Sequence, residues 1–497
     1  MSAEVPAGNS HPGLGVRAAR GAFVTYLGQG ARIVLQLVSV IVLSRLLAPH
    51  DYGLLAMVVT VTGIGEIFRD FGLSSAAIQA KTLTAAQRSN LFWINTAIGI
   101  VLASVVFLGA PLLAGFYGHP ELTPIARALS CTFIFNGLAT QFRVDLNRRL
   151  QFRKLVVADV MSPAVGLTAA IVAASQGWHY WALVAQQLAQ AMALLVALII
   201  GARWLPGLPR RGAQMAGLLK FGGNLVATQL IGYVSNNVDS LIIGIRFGAT
   251  PLGIYNRSFS LLMTPLTQLR APTTTVAIPV LAKLHDNPVR FGQFVIRGQL
   301  ALGYSLVAGL GLVVGAAEPL TNFLLGDKWS AVAPILRLLA VAGIFQTLSY
   351  VGYWVYLSRG LTGALFRYTL LASVIKVSCI AIGSLGGVVG VAAGFAIAPA
   401  IDWPLSLWWL SKRTDLPLRT LVIGALRIMG VAAIVAAGSA TASILAIGLA
   451  PGIQTVCALA AGAVLYVLAA RIVPALRRDV VDIVEIARMI PKTKTRK

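Results

Sequence analysis

The chain has 497 residues, of which 57% are hydrophobic types and only 11% are charged. Soluble proteins carry roughly 25% charged residues, so a water-soluble enzyme of this size is excluded. Lys and Arg number 40 against 16 Asp and Glu, a net charge of +24. These basic residues punctuate long apolar runs and form no patch on a polar domain, which excludes a nucleic-acid-binding module.

Residues 1–22 are a polar tail with Arg17 and Arg20 at its end. The apolar run that follows is too long for the core of a cleavable signal and reads as a retained first span. A bilayer-crossing helix needs about 20 mostly apolar residues. Fourteen stretches satisfy this: 23–47, 52–79, 91–116, 122–142, 155–175, 180–201, 217–246, 252–280, 293–316, 331–357, 363–383, 387–410, 420–447 and 453–474. The expected fold class is therefore an all-α polytopic membrane protein with about fourteen transmembrane helices. Ten-residue alternating strands, the signature of a membrane β-barrel, do not occur.

Basic residues set the orientation. With the N-terminus in the cytoplasm, most Lys and Arg fall at cytoplasmic ends. Examples are Lys81 and Arg88, the group Arg143, Arg148, Arg149, Arg153 and Lys154, the pairs Arg210/Arg211 and Lys412/Arg413, and the tail from Arg477 to Lys497. Both termini are then cytoplasmic. The loops are too short for a nucleotide-binding domain, and no phosphate-binding G-x-x-x-x-G-K loop is present.

A shift of 200 residues places span 1 on span 7 and span 2 on span 8. Gln29 falls on Gln229, Gln36 on Asn236, and Gly53 on Gly253. The offset covers an even number of helices, so the repeat is parallel: two six-helix lobes plus two C-terminal helices. The expected organisation is an N-terminal tail (1–22), an N-lobe (23–201), an inter-lobe linker (202–216), a C-lobe (217–410), a helix pair (411–474) and a basic tail (475–497).

Charges within spans are costly, about 2.5–3.5 kcal/mol each on insertion scales, so they face partners or water-filled cavities. They concentrate in the repeated elements. Span 1 carries Arg32 and Gln36; span 2 carries Glu66, Arg69 and Asp70 on one face; span 7 carries Asn236, Asn237 and Asp239; span 8 carries Arg257, Gln268 and Arg270. Lys376 stands in span 11. Arg32, Arg69 and Arg270 lie at similar depth, and guanidinium groups bind phosphate bidentately. The same arginines would also suit headgroup contacts or pairing with Glu66 and Asp70. Glu66, Asp70 and Asp239 are candidates for ion coupling. Asp159 and Asp402 read as structural. Pro265, Pro272 and Pro279 are expected to kink or unwind span 8, while Gly63 and Gly65 suit close helix packing. His11, His50, His119, His179 and His285 all lie outside the spans, and Cys131, Cys379 and Cys457 are scattered in apolar runs. No metal site or cofactor is expected.

The runs LSRLLAPHDYGLLAM (43–57), FRDFGLSSAAIQ (68–79) and NNVDSLIIGIRFGATPLGIYNRSFSLLMTPL (236–266) resemble those of bacterial polysaccharide transporters, the Wzx-like oligosaccharide flippases. These belong to the multidrug/oligosaccharidyl-lipid/polysaccharide exporter superfamily. The resemblance implies two helical lobes around a cationic cavity in the bacterial inner (plasma) membrane. It implies a cargo of undecaprenyl-diphosphate-linked oligosaccharide, moved from the inner to the outer leaflet by alternating access. On this reading Arg32, Arg69, Arg257 and Arg270 meet the diphosphate, and Lys376 lines the same cargo cavity. Gln36, Asn236, Asn237 and Gln268 meet the glycan. Membrane lipids, and a polysaccharide polymerase and glycosyltransferases, are the implied partners. The alternatives are a multidrug or peptidoglycan-precursor exporter of the same architecture, a membrane glycan polymerase, and a scaffold without transport. The short outer loops oppose the polymerase; the buried charges oppose the scaffold.

Overall fold

A computed structural model describes residues 12–70, 74, 77, 78, 83–209 and 216–479; for residues 12–23, 70, 216–228 and 231 only the backbone is described. The described residues form fourteen long helices and no strand. In chain order these are α1 (Pro12–Leu46), α2 (Pro49–Asp70), α3 (Ala85–Tyr117), α4 (Leu122–Arg148), α5 (Phe152–Ser175), α6 (Tyr180–Ala202), α7 (Ala216–Phe247) and α8 (Ala249–Lys283). Then come α9 (Pro288–Leu325), α10 (Val332–Ser358), α11 (Thr362–Gly383), α12 (Gly387–Ser411), α13 (Leu418–Leu445) and α14 (Pro451–Ile472). Eleven helical stretches among the described residues are long and apolar enough to cross a membrane, and one of them, Thr362–Ser411, holds both α11 and α12. The protein is a multi-pass helical membrane protein, as its apolar runs predict.

The helices gather into two compact units. One comprises the described residues up to 47 and between 57 and 234, the other residues 48–56 and the described residues from 235 on. In the first, α3 packs along α4 and α5 along α6, while α1 lies against α5 and α4 against α6. Its glycines work as expected. A Cβ on Gly63 would collide with the ring end of Tyr233, whose hydroxyl donates to the Thr60 carbonyl at 3.1 Å. At one end, Arg88 bonds Asp145 at 2.8 Å and lies 4.1 Å from the Trp204 ring centroid. Asp145 also takes Arg149 at 3.1 Å, and Arg143 pairs with Asp159.

In the second unit α10 is central, packing against α8, α9 and α12, and α11 lies along α12. The pair α13–α14 packs against α9. α9 is not a uniform helix: a π-turn at Gly303–Val307 joins Pro288–Leu302 to Ala308–Leu325. Tyr304 in this turn donates to Asp479 Oδ2 at 2.8 Å, and Arg427 of α13 pairs with the same carboxylate at 3.0 Å. Tyr466 of α14 donates to the Tyr304 carbonyl at 3.0 Å. Buried Asp479 thus ties the segment after α14 to two helices.

The α1–α2 turn belongs to this second unit. Pro49 opens α2, where a missing N–H costs nothing, and Asp51 reaches back to accept the Ala48 N–H at 2.9 Å. Asp51 and Tyr52 are buried, and Tyr52 meets Trp329 edge-on with ring centroids 5.5 Å apart.

The unwinding allowed for in span 8 does not occur. α8 continues unbroken from Ala249 to Lys283 through Pro265, Pro272 and Pro279. Threonine hydroxyls supply local donors to its backbone: Thr267 to Met263 at 2.9 Å, Thr273 to Arg270 at 2.6 Å and Thr275 to Pro272 at 2.7 Å.

Candidate functional site

A cavity of about 440 Å³ opens within the second unit, between α7, α8, α10, α11 and α12. This is within the range of roughly 300–1,000 Å³ typical of small-molecule sites. It has two layers. At mid-helix stand two cations and two amides, Arg270, Lys376, Asn236 and Gln346. Toward the α10–α11 turn stand Ser349, Tyr350, Tyr353, Tyr356, Tyr368 and Asp402. Gln346 and Tyr356 are separated by about 15 Å along α10, at 1.5 Å per residue.

Arg270 is only 6% exposed. Its Nη2 donates to Gln346 Oε1 at 3.2 Å, and its guanidinium carbon lies 5.5 Å from the Tyr350 ring centroid. Its Nε has no hydrogen-bond acceptor, and among the described residues it has no carboxylate within ion-pair distance. A buried charge without an anion is costly, because water's solvation is lost and no opposite charge replaces it. Lys376 Nζ donates to Asn236 Oδ1 at 3.0 Å and lies 5.1 Å from the Phe395 ring. Asp239 acts electrostatically on this ammonium. Asp239 is itself buried, taking the Tyr255 hydroxyl at 2.5 Å and the Ser240 N–H at 2.9 Å.

Asp402 accepts from the Tyr368 hydroxyl and, at 3.4 Å, from Ser349. Tyr368 stacks on Tyr356 with centroids 5.8 Å apart and planes 21° from parallel. The Tyr350 hydroxyl takes a bond from Thr274 at 2.9 Å, and Trp354 bonds that same threonine at 3.2 Å. Tyr353 is 41% exposed, its ring 6.2 Å from that of Tyr350.

A smaller cavity, about 170 Å³, lies in the first unit and is lined by Arg69, Asn136, Thr140 and Arg143 among others. Here Arg69 is neutralised. Its Nε bonds Glu66 at 2.6 Å, and its Nη1 bonds Thr140 and the Asn136 carbonyl. Asn136 closes the ring by donating to Glu66 Oε1 at 3.0 Å.

Of the residues singled out from the sequence, Asn236, Arg270 and Lys376 line the larger cavity, and Asp239 is buried outside its lining. Arg69 lines the smaller one beside Glu66. Arg32 is exposed on α1; Gln36, Asn237 and Gln268 are half-buried. Arg257 lies outside both linings, with its guanidinium carbon 3.4 Å from the Tyr52 ring centroid. The side chain of Asp70 lies outside the described residues, as do Lys81, Arg210, Arg211 and residues 480–497. Asp402, which the sequence suggests is structural, lines the larger cavity. The tyrosines of α10 and Tyr368 are additions. The run SYVGYWVY (349–356) was their one visible signal.

Comparison with known proteins agrees with this architecture. The lipopolysaccharide biosynthesis protein WzxC of Escherichia coli (strain K12) is 27% identical over 388 residues, 76% of this chain and 78% of that protein. The teichuronic acid biosynthesis protein TuaB of Bacillus subtilis (strain 168) is 27% identical over 70% of this chain and 73% of its own length. The succinoglycan biosynthesis transport protein ExoT of Rhizobium meliloti (strain 1021) is 25% identical, covering 71% and 72%. Among solved structures, the lipid II flippase MurJ in an inward closed conformation shares the fold, with a TM-score of 0.71 and 14% identity over 93% of this chain and all of that one. An inward-facing multidrug resistance MATE family transporter matches with a TM-score of 0.56 and 15% identity, covering 82% and 98%. Residues 42–334 match the family model described as polysaccharide biosynthesis protein, and the chain belongs to that family.

Proposed function

We propose that the chain is a flippase that moves a lipid-linked oligosaccharide from the inner to the outer leaflet of the bacterial inner membrane by alternating access. The cargo's head is a glycan joined through a diphosphate to a polyprenyl tail. The observation that carries this reading is Arg270: a buried guanidinium at a cavity wall, with an idle N–H and, among the described residues, no carboxylate partner. A diphosphate supplies the missing anion, and Lys376 adds a second positive charge on the same cavity. Charge-assisted bonds to phosphate are among the stronger polar contacts. Two cations in one cavity oppose a cationic drug as cargo.

Transport breaks no covalent bond in this cycle, so the chain acts as a carrier. Glycosyltransferases supply its cargo and a polymerase consumes it. The lobes 23–201 and 217–410 rock against each other, joined by 202–216, with both termini in the cytoplasm. Arg270→Gln is the test. Export of the glycan should cease while the protein still inserts, and the lipid-linked precursor should accumulate on the cytoplasmic leaflet. Undiminished export by Arg270→Gln would remove the anion seat from the reading.

A further inference from the structure

The cavity's second layer has a chemistry the diphosphate does not use. Asp402 and the faces of Tyr353 and Tyr368 are poor neighbours for an anion: a carboxylate repels it, and aromatic faces carry partial negative charge. We propose that this layer is a subsite for an uncharged sugar, the hexose next to the diphosphate. The inference rests on the reading of the protein as a lipid-linked glycan flippase and names which part of the cargo this wall selects.

The argument starts from Asp402. An ionised carboxylate is acceptor-only, with room for about four hydrogen bonds. Tyr368 and Ser349 supply two of them. Among the described residues Asp402 has no cation within ion-pair distance. The remaining capacity suits a ligand that brings donors without positive charge, and adjacent sugar hydroxyls do so. The aromatic residues complete the fit. A pyranose is polar at its rim and presents C–H groups on its faces, which pack on the negative faces of tyrosines. Tyr353 offers a half-open ring for this. Tyr350 is fixed beside it through Thr274, itself bonded by Trp354. The Tyr356–Tyr368 stack holds the hydroxyl that orients Asp402. The surface is thus set before a ligand arrives, and preorganisation of this kind lowers the entropic cost of binding. Arg270 and Lys376 at mid-helix place the anionic group there and leave the tyrosine layer to the sugar.

The test uses the purified full chain in lipid nanodiscs. Two sets of probes are compared: undecaprenyl diphosphate, and undecaprenyl diphosphate carrying one glucose or one galactose. The wild type should bind a hexose-bearing lipid roughly tenfold tighter than the bare diphosphate, the scale of one net hydrogen bond to a charged group. Asp402→Asn, which keeps the shape, and Tyr353→Ala should each bring that ratio close to one. Arg270→Gln should weaken both lipids and preserve the ratio. Equal binding of bare and hexose-bearing lipids by the wild type overturns the subsite. So does an unchanged preference in Asp402→Asn and Tyr353→Ala. In both cases the flippase reading survives, because bare diphosphate still binds through Arg270. Failure of every lipid to bind the wild type would instead remove the flippase reading and the subsite with it.

Discussion

Gly53 and Gly253 meet back to back, and their contacts are reciprocal. A Cβ on Gly53 would land on the carbonyl group of Ala249; one on Gly253 would land on that of Pro49. Residue 53 lies on 249 and residue 253 on 49, so the two contacts are the same contact with its partners exchanged, each at the 200-residue offset of the other. The 200-residue shift seen in the sequence is here a physical contact at the starts of α2 and α8.

Neither glycine tolerates a methyl group. Gly53→Ala and Gly253→Ala should each destabilise the protein by about 1–3 kcal/mol, the cost of overpacking against a rigid neighbour. Both act on one contact, so the double variant should fall well short of the sum. Thermal unfolding in detergent measures this; full additivity would mean the two backbones are not in mutual contact.

Arg257 and Arg270 should separate stability from transport. Arg257 stacks on buried Tyr52. Arg257→Gln should therefore lower stability by about 0.5–2 kcal/mol, the value of a cation–π contact. Arg270→Gln removes a buried charge that has no anion, so its unfolding temperature should hold or rise while export is lost. Unfolding curves and glycan export measured on the same pair of variants check the contrast.

Glu66 and Arg69 form a local pair joined to Asn136. Glu66→Gln should cost about 1–3 kcal/mol by leaving the guanidinium without its charged acceptor. Adding Arg69→Gln should recover part of the loss, giving a coupling energy of about 0.5–3 kcal/mol in a double-mutant cycle. A coupling of zero would dissolve the pair.

Asp479 anchors the segment that follows α14. Asp479→Asn should weaken its bonds to both Tyr304 and Arg427 and cost about 1–3 kcal/mol. Limited proteolysis should then cut the chain after Ile472 faster than in the wild type, with the remaining helices equally protected.

The helical class was legible because the bilayer imposes a length and an apolarity that survive in any sequence. The polar residues of α7 and α8 stood out for the same reason: Asp239 or Arg270 amid aliphatic residues has no cheap explanation. Tyr350, Tyr353 and Tyr356 gave no comparable signal. An aromatic in an apolar run reads equally as core, and only the packing of α10 against α12 tells which rings reach open space. Asp402 was visible as a charge, but its neighbours Tyr368 and Ser349 lie 34 and 53 positions away. The continuity of α8 was hidden as well, since three prolines predict a break.

The π-turn at Gly303–Val307 has one more consequence. It accommodates an additional residue within α9. Deleting one residue there would restore ordinary winding and leave the helix on both sides in its present phase, so Gly311 and Gly315 would keep their places against the backbone of α13 at Ala432 and Ala436. A one-residue deletion elsewhere in α9, where no π-turn absorbs it, would instead swing everything downstream by about 100° about the helix axis.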